Sequence, residues 1–419
     1  MFCSEFLFAD VANLIKVMET HTGCAVTVHN VLECEWDPRK REWLKVFGKP
    51  KMLMKDVSEL SGCVAFNYMR EEDDDIPEDL FLYTYGWSCK DLSALNNFSQ
   101  EWKADCVQTG RGTTGVTWRG NYGYVLKTKP PLVVAENVVA ARRGANYQKV
   151  LQEFKEAGYY VGDLNLNSGD CGFPQDRVRS YFVCVRQDLA TASWAEEFLA
   201  VTEDLKLLEP VPLSRFVLPD THSYVVRVMD ERKAQKMKKG MKSVKAKTMA
   251  KAKVKVRCGK KWISDHWRLR CQLGMRTGPA EEPQQFTDMA EANGMCDRER
   301  DLLRLVLDAP TTRKEPLKSV ELKHSAPRVV KLGQRRREDC TSCLLPASKM
   351  MVFPPVAGST RYLTGLEALS VQGIPNSFHE ATQVLNDREY MSLAGNAFNA
   401  GSWSLVVIAA LATMDLSRM

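Results

Sequence analysis

The chain predicts an α/β fold, and three observations carry that prediction. The first is a set of apolar runs without polar alternation: Leu80–Gly86, Pro131–Ala135 and Ser180–Val185. Strands that read this way are covered on both faces, as in mainly parallel sheets. The second is that helix-like segments stand between the strand-like ones, the pattern of a sheet sandwiched by helices. The third is that a thiol, a carboxylic acid and two guanidiniums fall at or beside the ends of those runs. Loops beyond the carboxyl ends of strands carry the chemistry in open α/β sheets.

Each element follows in order. Thr27–Leu32 is the first strand candidate, followed by Glu33-Cys-Glu35-Trp36-Asp37. Pro38 then suits the first turn of a helix running to Val46. Glu71–Asp75 reads as a solvated acidic loop. The run Leu80–Gly86 ends in Trp87-Ser88-Cys89-Lys90, and Pro131–Ala135 ends in Glu136-Asn137-Val138. Between Asn146 and Ala157, Val150, Leu151 and Phe154 recur at helical spacing, with Gly158 as the stop. Gly172–Arg179 carries Gln175, Arg177 and Arg179 and leads into the strand Ser180–Val185. The apolar stretch Trp403–Met414 is too short to span a bilayer and reads as a buried helix.

Composition sets the outer bounds. The 419 residues have room for two domains and a large core. With 44% hydrophobic and 26% charged residues, the chain is ordinary for a soluble protein, and no membrane association is expected. Thirteen cysteines without regular short spacing read as reduced intracellular thiols. Met1-Phe-Cys-Ser-Glu5 lacks a basic n-region, so secretion is not expected; the compartment is the nucleus in a eukaryote and the cytoplasm otherwise. Cys340-Thr-Ser-Cys343 has no second pair at finger-like spacing, so a loop is expected there and no metal.

The net charge of +6 is unevenly spread. From Arg232 to Lys261 basic residues recur with no acidic residue between them, Lys238, Lys239 and Lys242 among them. A run of this kind is either a featureless solvated arm or a source of phosphate contacts, and it also fits a nuclear import signal.

A thiol nucleophile, an acid and fixed cations in one cleft suit covalent attack on an electron-poor ring. In order and spacing the blocks resemble the C5-cytosine-specific DNA methyltransferases. The family's Pro-Cys-Gln loop stands here as Ser88-Cys89-Lys90, its Glu-Asn-Val as Glu136–Val138, and its Gln-x-Arg-x-Arg as Gln175, Arg177 and Arg179. Arg361–Glu367 with Gln372-Gly-Ile-Pro375 is similar to the ninth family motif, and Gly395-Asn396-Ala397 to the tenth.

The resemblance implies a Rossmann-like, S-adenosylmethionine-dependent methyltransferase sheet with an inserted, smaller target-recognition region. It implies a catalytic and cofactor-binding domain over 1–190, target recognition over 191–355, and C-terminal motifs over 356–419 that complete the catalytic domain. Cys89 is then the nucleophile and Glu136 meets the N3 side of the base. Arg177 holds the carbonyl edge and orients Glu136, while Arg179 supports the site. A neighbouring cation would lower the Cys89 pKa. Glu35, Trp36, Asp56 and Asn396 are the expected cofactor contacts, together with Phe2. Lys90, Ser93 and Gln175 are expected to meet nucleic acid. The family's glycine-rich first turn has no counterpart after Phe2, so that turn and the strand before it are expected to be missing. The expected partner is duplex DNA with a flipped-out cytosine. A transfer-RNA substrate, and an inactive homologue that only binds nucleic acid, stay open; the oligomeric state is not indicated.

Overall fold

The computed structural model describes residues 28–93, 101–207, 209–235, 261–275, 284–309, 319–323, 325, 327, 340–354, 356–374 and 384–418. They fall into two compact units. One comprises Met1–Pro210, Val371–Glu389 and Asn396–Met419; the other comprises Val211–Ser370 and Tyr390–Gly395. The divisions lie after Pro210 and Ser370, where the sequence suggests 190 and 355. One reason is the helix Trp194–Asp204, which belongs with the first unit. Its Phe198 ring packs where a Cβ on Gly162 would stand, and Trp194 and Phe198 are fully buried.

The first unit begins with strand β1 (Leu32–Cys34), helix α1 (Pro38–Phe47) and strand β2 (Met52–Met54), with β1 and β2 parallel. The expected strand at Thr27–Leu32 is shifted toward the carboxyl end: the strand is Leu32–Cys34, with the Asn30 and Val31 carbonyls accepting the Lys51 and Met52 N–H groups just before it, and Thr27 lies outside the described residues. Helix α1 starts as the sequence indicates. Pro38 needs no N–H partner in the first turn, and the Asp37 carboxylate caps the Arg39 N–H at 2.9 Å.

Next come β3 (Val64–Asn67) and β4 (Glu72–Asp75), paired antiparallel. The acidic run is therefore a strand and not a loop. Buried Asn67 holds the hairpin: its side chain bonds the Leu53 N–H, the Lys51 carbonyl and the Asp74 carboxylate. Most of the acidic side chains still face water, as their charge requires, while the backbone beneath them is paired.

The central sheet contains β5 (Leu82–Gly86), β6 (Leu132–Val138), β7 (Tyr159–Asn167) and β8 (Val178–Arg186). Its order is β5-β6-β8-β7. β5 and β6 are parallel, and β8 is antiparallel to both of its neighbours. Three strands thus run one way, as expected, yet two of the three pairings are antiparallel. The reversed strand returns beside β7 after a short connection and inserts between β7 and β6.

This sheet is covered on both faces. Val133 and Ala135 of β6, with Phe182 and Cys184 of β8, join a core completed by Trp118, Val150 and Phe154. Those three belong to α2 (Gly112–Thr128) and α3 (Gly144–Glu156). Leu132, Val134, Val183 and Val185 join a second core with Trp194, Phe198, Trp403 and Val406. Every second residue serves the opposite core, which is why these strands show no polar alternation. Each fully buried Val or Leu contributes about 1.5–3 kcal/mol. Helix α3 stops where Gly158 takes φ +86°. At Gly120 of α2 a Cβ would stand 2.5 Å from the Val57 carbonyl oxygen, so only glycine lets the helix lie this close to the loop after β2.

The apolar C-terminal segment is helix Ala400–Thr413, capped by Asn399. Asp387–Thr413 as a whole is long and apolar enough to cross a membrane by length and composition. Its apolar window is 78% buried inside the molecule, as a core helix would be.

In the second unit, Ser319–Glu321, Met350–Val352 and Arg361–Tyr362 form a three-stranded antiparallel sheet. Helices Lys261–Gln272 and Asp297–Asp308 pack beside each other through Leu269, Leu302 and Leu303. Asp301 joins them, with its carboxylate 2.6 Å from His266 Nδ1 and 2.7 Å from Arg270 Nη2. Arg361 and Glu367, from the ninth-motif resemblance, form a buried ion pair at 2.7 Å that Asp220 extends. Among the described residues, no group of three or more His, Cys, Asp or Glu side chains is placed to hold a metal.

Candidate active site

The Cys89 loop leaves the carboxyl end of β5 and is fixed on two sides. On one side is β6: Gly86 pairs with Glu136, and Asn137 Nδ2 donates to the Trp87 carbonyl at 2.9 Å. On the other is the start of α2. The Ser88 N–H donates to Thr117 Oγ1 at 2.9 Å. Asp91 and Thr114 bond each other twice, at 3.1 and 2.9 Å. Within the loop, the Leu92 and Ser93 N–H groups both donate to the Cys89 carbonyl. Cys89 and Lys90 are left exposed, and Ser93 is half-buried.

Glu136 lies near the carboxyl end of β6 and is 7% exposed. The antiparallel course of β8 brings its first residues to the same edge, with Val138 opposite Arg179. Arg179 Nε stands 3.2 Å from Glu136 Oε1, an ion-pair distance without the alignment of a hydrogen bond. Arg177 is buried; its guanidinium donates to the Ala397 carbonyl at 2.7 Å, and its N–H to Asn167 Oδ1 at 2.9 Å. The carboxyl ends of β5, β6 and β7 and the amino end of β8 thus meet at one edge.

The electrostatics differ from expectation in two respects. The Cys89 thiol is raised above its ordinary pKa, first by loss of water around the sulfur and then by the Glu136 carboxylate; Arg179 and Arg177 pull it down but do not prevail. The residue as a whole is exposed, so solvent moderates that rise. The Glu136 carboxyl is also raised, by burial, against the pull of Arg179 first and Arg177 second. Arg179, expected to support the site, stands at ion-pair distance from Glu136.

Three of the expected cofactor residues, Glu35, Trp36 and Asp56, gather around β1 and β2. Glu35 follows β1 and is buried, its Oε1 accepting the Asp37 N–H at 2.6 Å. Trp36 is 61% exposed, with the Lys55 ammonium 4.7 Å above its ring. Asp56, just after β2, caps the Ser58 N–H at 2.9 Å. Parallel pairing puts the carboxyl ends of both strands on one edge. A carboxylate, a largely exposed indole and a second carboxylate on that edge suit a nucleoside with ribose hydroxyls and an exocyclic amine. Asn396 is exposed at the end of helix Asp387–Asn396.

One expected contact is not at the surface, and four others fall outside the described residues. Gln175, expected to meet nucleic acid, is buried with no exposed surface. Phe2, Lys238, Lys239 and Lys242 lie outside the described residues. Sequence reasoning missed Asp91, Thr114 and Thr117. A Thr-x-x-Thr spacing at the head of a glycine-rich segment was the only available sign.

The model of the C-5 cytosine-specific DNA methylases matches residues 27–401. The chain belongs to that family. A DNA (cytosine-5-)-methyltransferase of Cryptococcus neoformans, DMT5, is 26% identical over 417 residues, 95% of this chain and 16% of that protein. The type II methyltransferase M.NgoFVII of Neisseria gonorrhoeae is 32% identical over 106 residues, 25% of this chain and 26% of that enzyme. This methylase-family chain thus spans a minor part of the relatives it matches. Among solved structures, the Entamoeba histolytica methyltransferase EhMeth aligns over 91% of this chain and 89% of its own, at 10% identity and TM-score 0.44. The S. pombe Dnmt2 methyltransferase aligns over 94% of this chain and 93% of its own, at 12% identity and TM-score 0.43.

Proposed function

We propose that this chain transfers a methyl group from S-adenosylmethionine to C5 of a cytosine in DNA, with Cys89 as the nucleophile. The observation that carries the reading is the shared strand edge, where an exposed thiol stands with a buried acid and two arginines. Family membership supports the same reaction.

Cytosine C5 is a poor nucleophile. Addition of the Cys89 thiolate to C6 makes C5 enamine-like, and loss of the C5 proton with departure of the thiolate ends the reaction. Glu35, Trp36, Asp56 and Asn396 would hold S-adenosylmethionine, which would supply the electrophilic methyl and leave as S-adenosylhomocysteine. Glu136 serves best in its protonated form. N3 of cytosine carries a lone pair, so its partner must donate, and burial favours the neutral carboxylic acid. A neutral Glu136 also relieves the thiol of one of the influences that raise its pKa. Arg179 holds Glu136 in place, and Arg177 faces the carbonyl edge. Lys90 and Ser93 border the loop on the nucleic-acid side. The base must leave the duplex to reach Cys89.

Incubation with tritiated S-adenosylmethionine and cytosine-containing duplex tests this. Label at cytosine C5 is expected, and Cys89→Ser should abolish it. Stronger labelling of transfer RNA than of duplex DNA would overturn the choice of substrate. Absence of label on both, with S-adenosylhomocysteine not bound in calorimetry, would favour an inactive homologue.

A further inference from the structure

We infer that Thr117, with the Asp91–Thr114 pair, is a positioning device that sets the height and reactivity of the Cys89 thiol. The inference rests on the proposed role of Cys89 as nucleophile. The family loop usually has proline where Ser88 stands. Proline stiffens a loop by fixing φ, but it has no N–H to give. Here that N–H is in use, donated to Thr117 Oγ1 at 2.9 Å.

The acceptor is itself oriented. Thr117 Oγ1 lies 2.9 Å from the Thr113 carbonyl and 3.1 Å from that of Thr114, so its single proton points back into the helix. The oxygen's lone pairs are thereby left facing the loop. Two residues beyond Cys89 the chain is tied again. Asp91 Oδ2 accepts the Thr114 N–H in the first turn of α2, where a carboxylate is favoured by the helix end, and Thr114 Oγ1 accepts the Asp91 N–H. Cys89 is therefore suspended between two anchor points, one residue before it and two after it. Both anchors lie on the same helical turn. Thr114 is fully buried, which shields its bonds from water.

Helix α2 also touches the loop after β2 through Gly120 and Val57. One helix thus reaches from the Asp56 loop to the Cys89 loop. Side-chain hydrogen bonds do here what a proline ring does in the usual family loop.

Two isosteric variants, Thr117→Val and Thr114→Val, test the inference, with Thr117→Ser as the rescue. The first readout is the rate at which iodoacetamide alkylates Cys89 across pH 6–10, followed by peptide mass spectrometry on the intact chain. Exposed Cys63 serves as the internal control. Thr117→Val should change the Cys89 profile while Cys63 alkylation and the melting curve stay in place, and Thr117→Ser should restore it. The second readout is methyl transfer. A misplaced thiol should lower kcat by about tenfold or more with KM for DNA little changed. If Thr117→Val does not fold, Thr114→Val is read in the same way. Superimposable Cys89 profiles in wild type and the folded valine variants would overturn the inference. The alkylation readout needs no turnover, so an inactive wild type would defeat the proposed function and leave this test intact.

Discussion

Two opposed influences meet at Cys89. Desolvation and Glu136 hold the proton on the sulfur, while Arg179 and Arg177 favour its release. The balance shifts when Glu136 is itself protonated, so base binding and thiol activation are linked through one carboxyl group. Replacing Glu136 by Gln should separate stability from activity. A carboxyl whose folded pKa is raised contributes stability below its unfolded pKa and loses it as pH rises through the folded value. Glu136→Gln should therefore melt higher than wild type at pH 7, and the gap should shrink as pH falls toward 4.5. Methyl transfer by the variant should fall sharply. A lower melting temperature at pH 7 with unchanged turnover would contradict this role for the residue. Residue identities here are legible in the sequence, but their electrostatic order is not. Cys89, Glu136, Arg177 and Arg179 all stand out by position, yet which guanidinium faces Glu136 depends on how β8 inserts beside β6. The Ser88–Thr117 bond joins residues whose nearness no local pattern reports, since it forms only when β5 and α2 pack.

Elements are legible where burial is continuous. Leu132–Ala135 is apolar throughout because alternate residues enter two cores, and the same run marks the strand in the sequence. Pro38 and Gly158 mark helix ends for reasons internal to the chain. Glu72–Asp75 looks like a loop because its pairing with Val64–Asn67 depends on the buried amide of Asn67, which composition does not reveal. In the second unit, Asp301 joins two helices through His266 and Arg270. Burial pushes its carboxyl up, but these two partners outweigh it and bring the pKa down to about 2. Such a group contributes stability above its unfolded pKa and loses it as pH falls through the folded one. Asp301→Asn should cost about 1–2 kcal/mol at pH 7, since it weakens partly buried charge-assisted bonds. Urea unfolding at pH 7 and near pH 2 measures this. The difference between variant and wild type should be smaller at the acid end, and equal stability at pH 7 would count against the bridge.

At the scale of the whole molecule, the α/β architecture and the family are both readable in order and spacing. The unit boundaries are less so, because Trp194–Asp204 looks like the start of a new segment and packs as part of the old one. The lysine-rich stretch is a matter for binding experiments. Lysines meet phosphates as point charges and carry little base information. Deleting residues 236–260 should flatten the plot of log affinity against log salt, by about 0.9 for each phosphate left without its lysine. The set of methylated cytosines should stay the same; a changed set with an intact slope would make the stretch a sequence reader. The central claim is covalent attack by Cys89, and a trapped adduct tests it most directly. Fluorine at cytosine C5 leaves no proton to lose after methyl transfer, so the thiolate cannot depart. Mass spectrometry of the intact chain with 5-fluorocytosine duplex and S-adenosylmethionine should show one adduct, mapped to the Cys89 peptide and absent in Cys89→Ser. A chain that binds both duplex and cofactor yet forms no adduct, or forms it at another residue, would contradict covalent attack by Cys89.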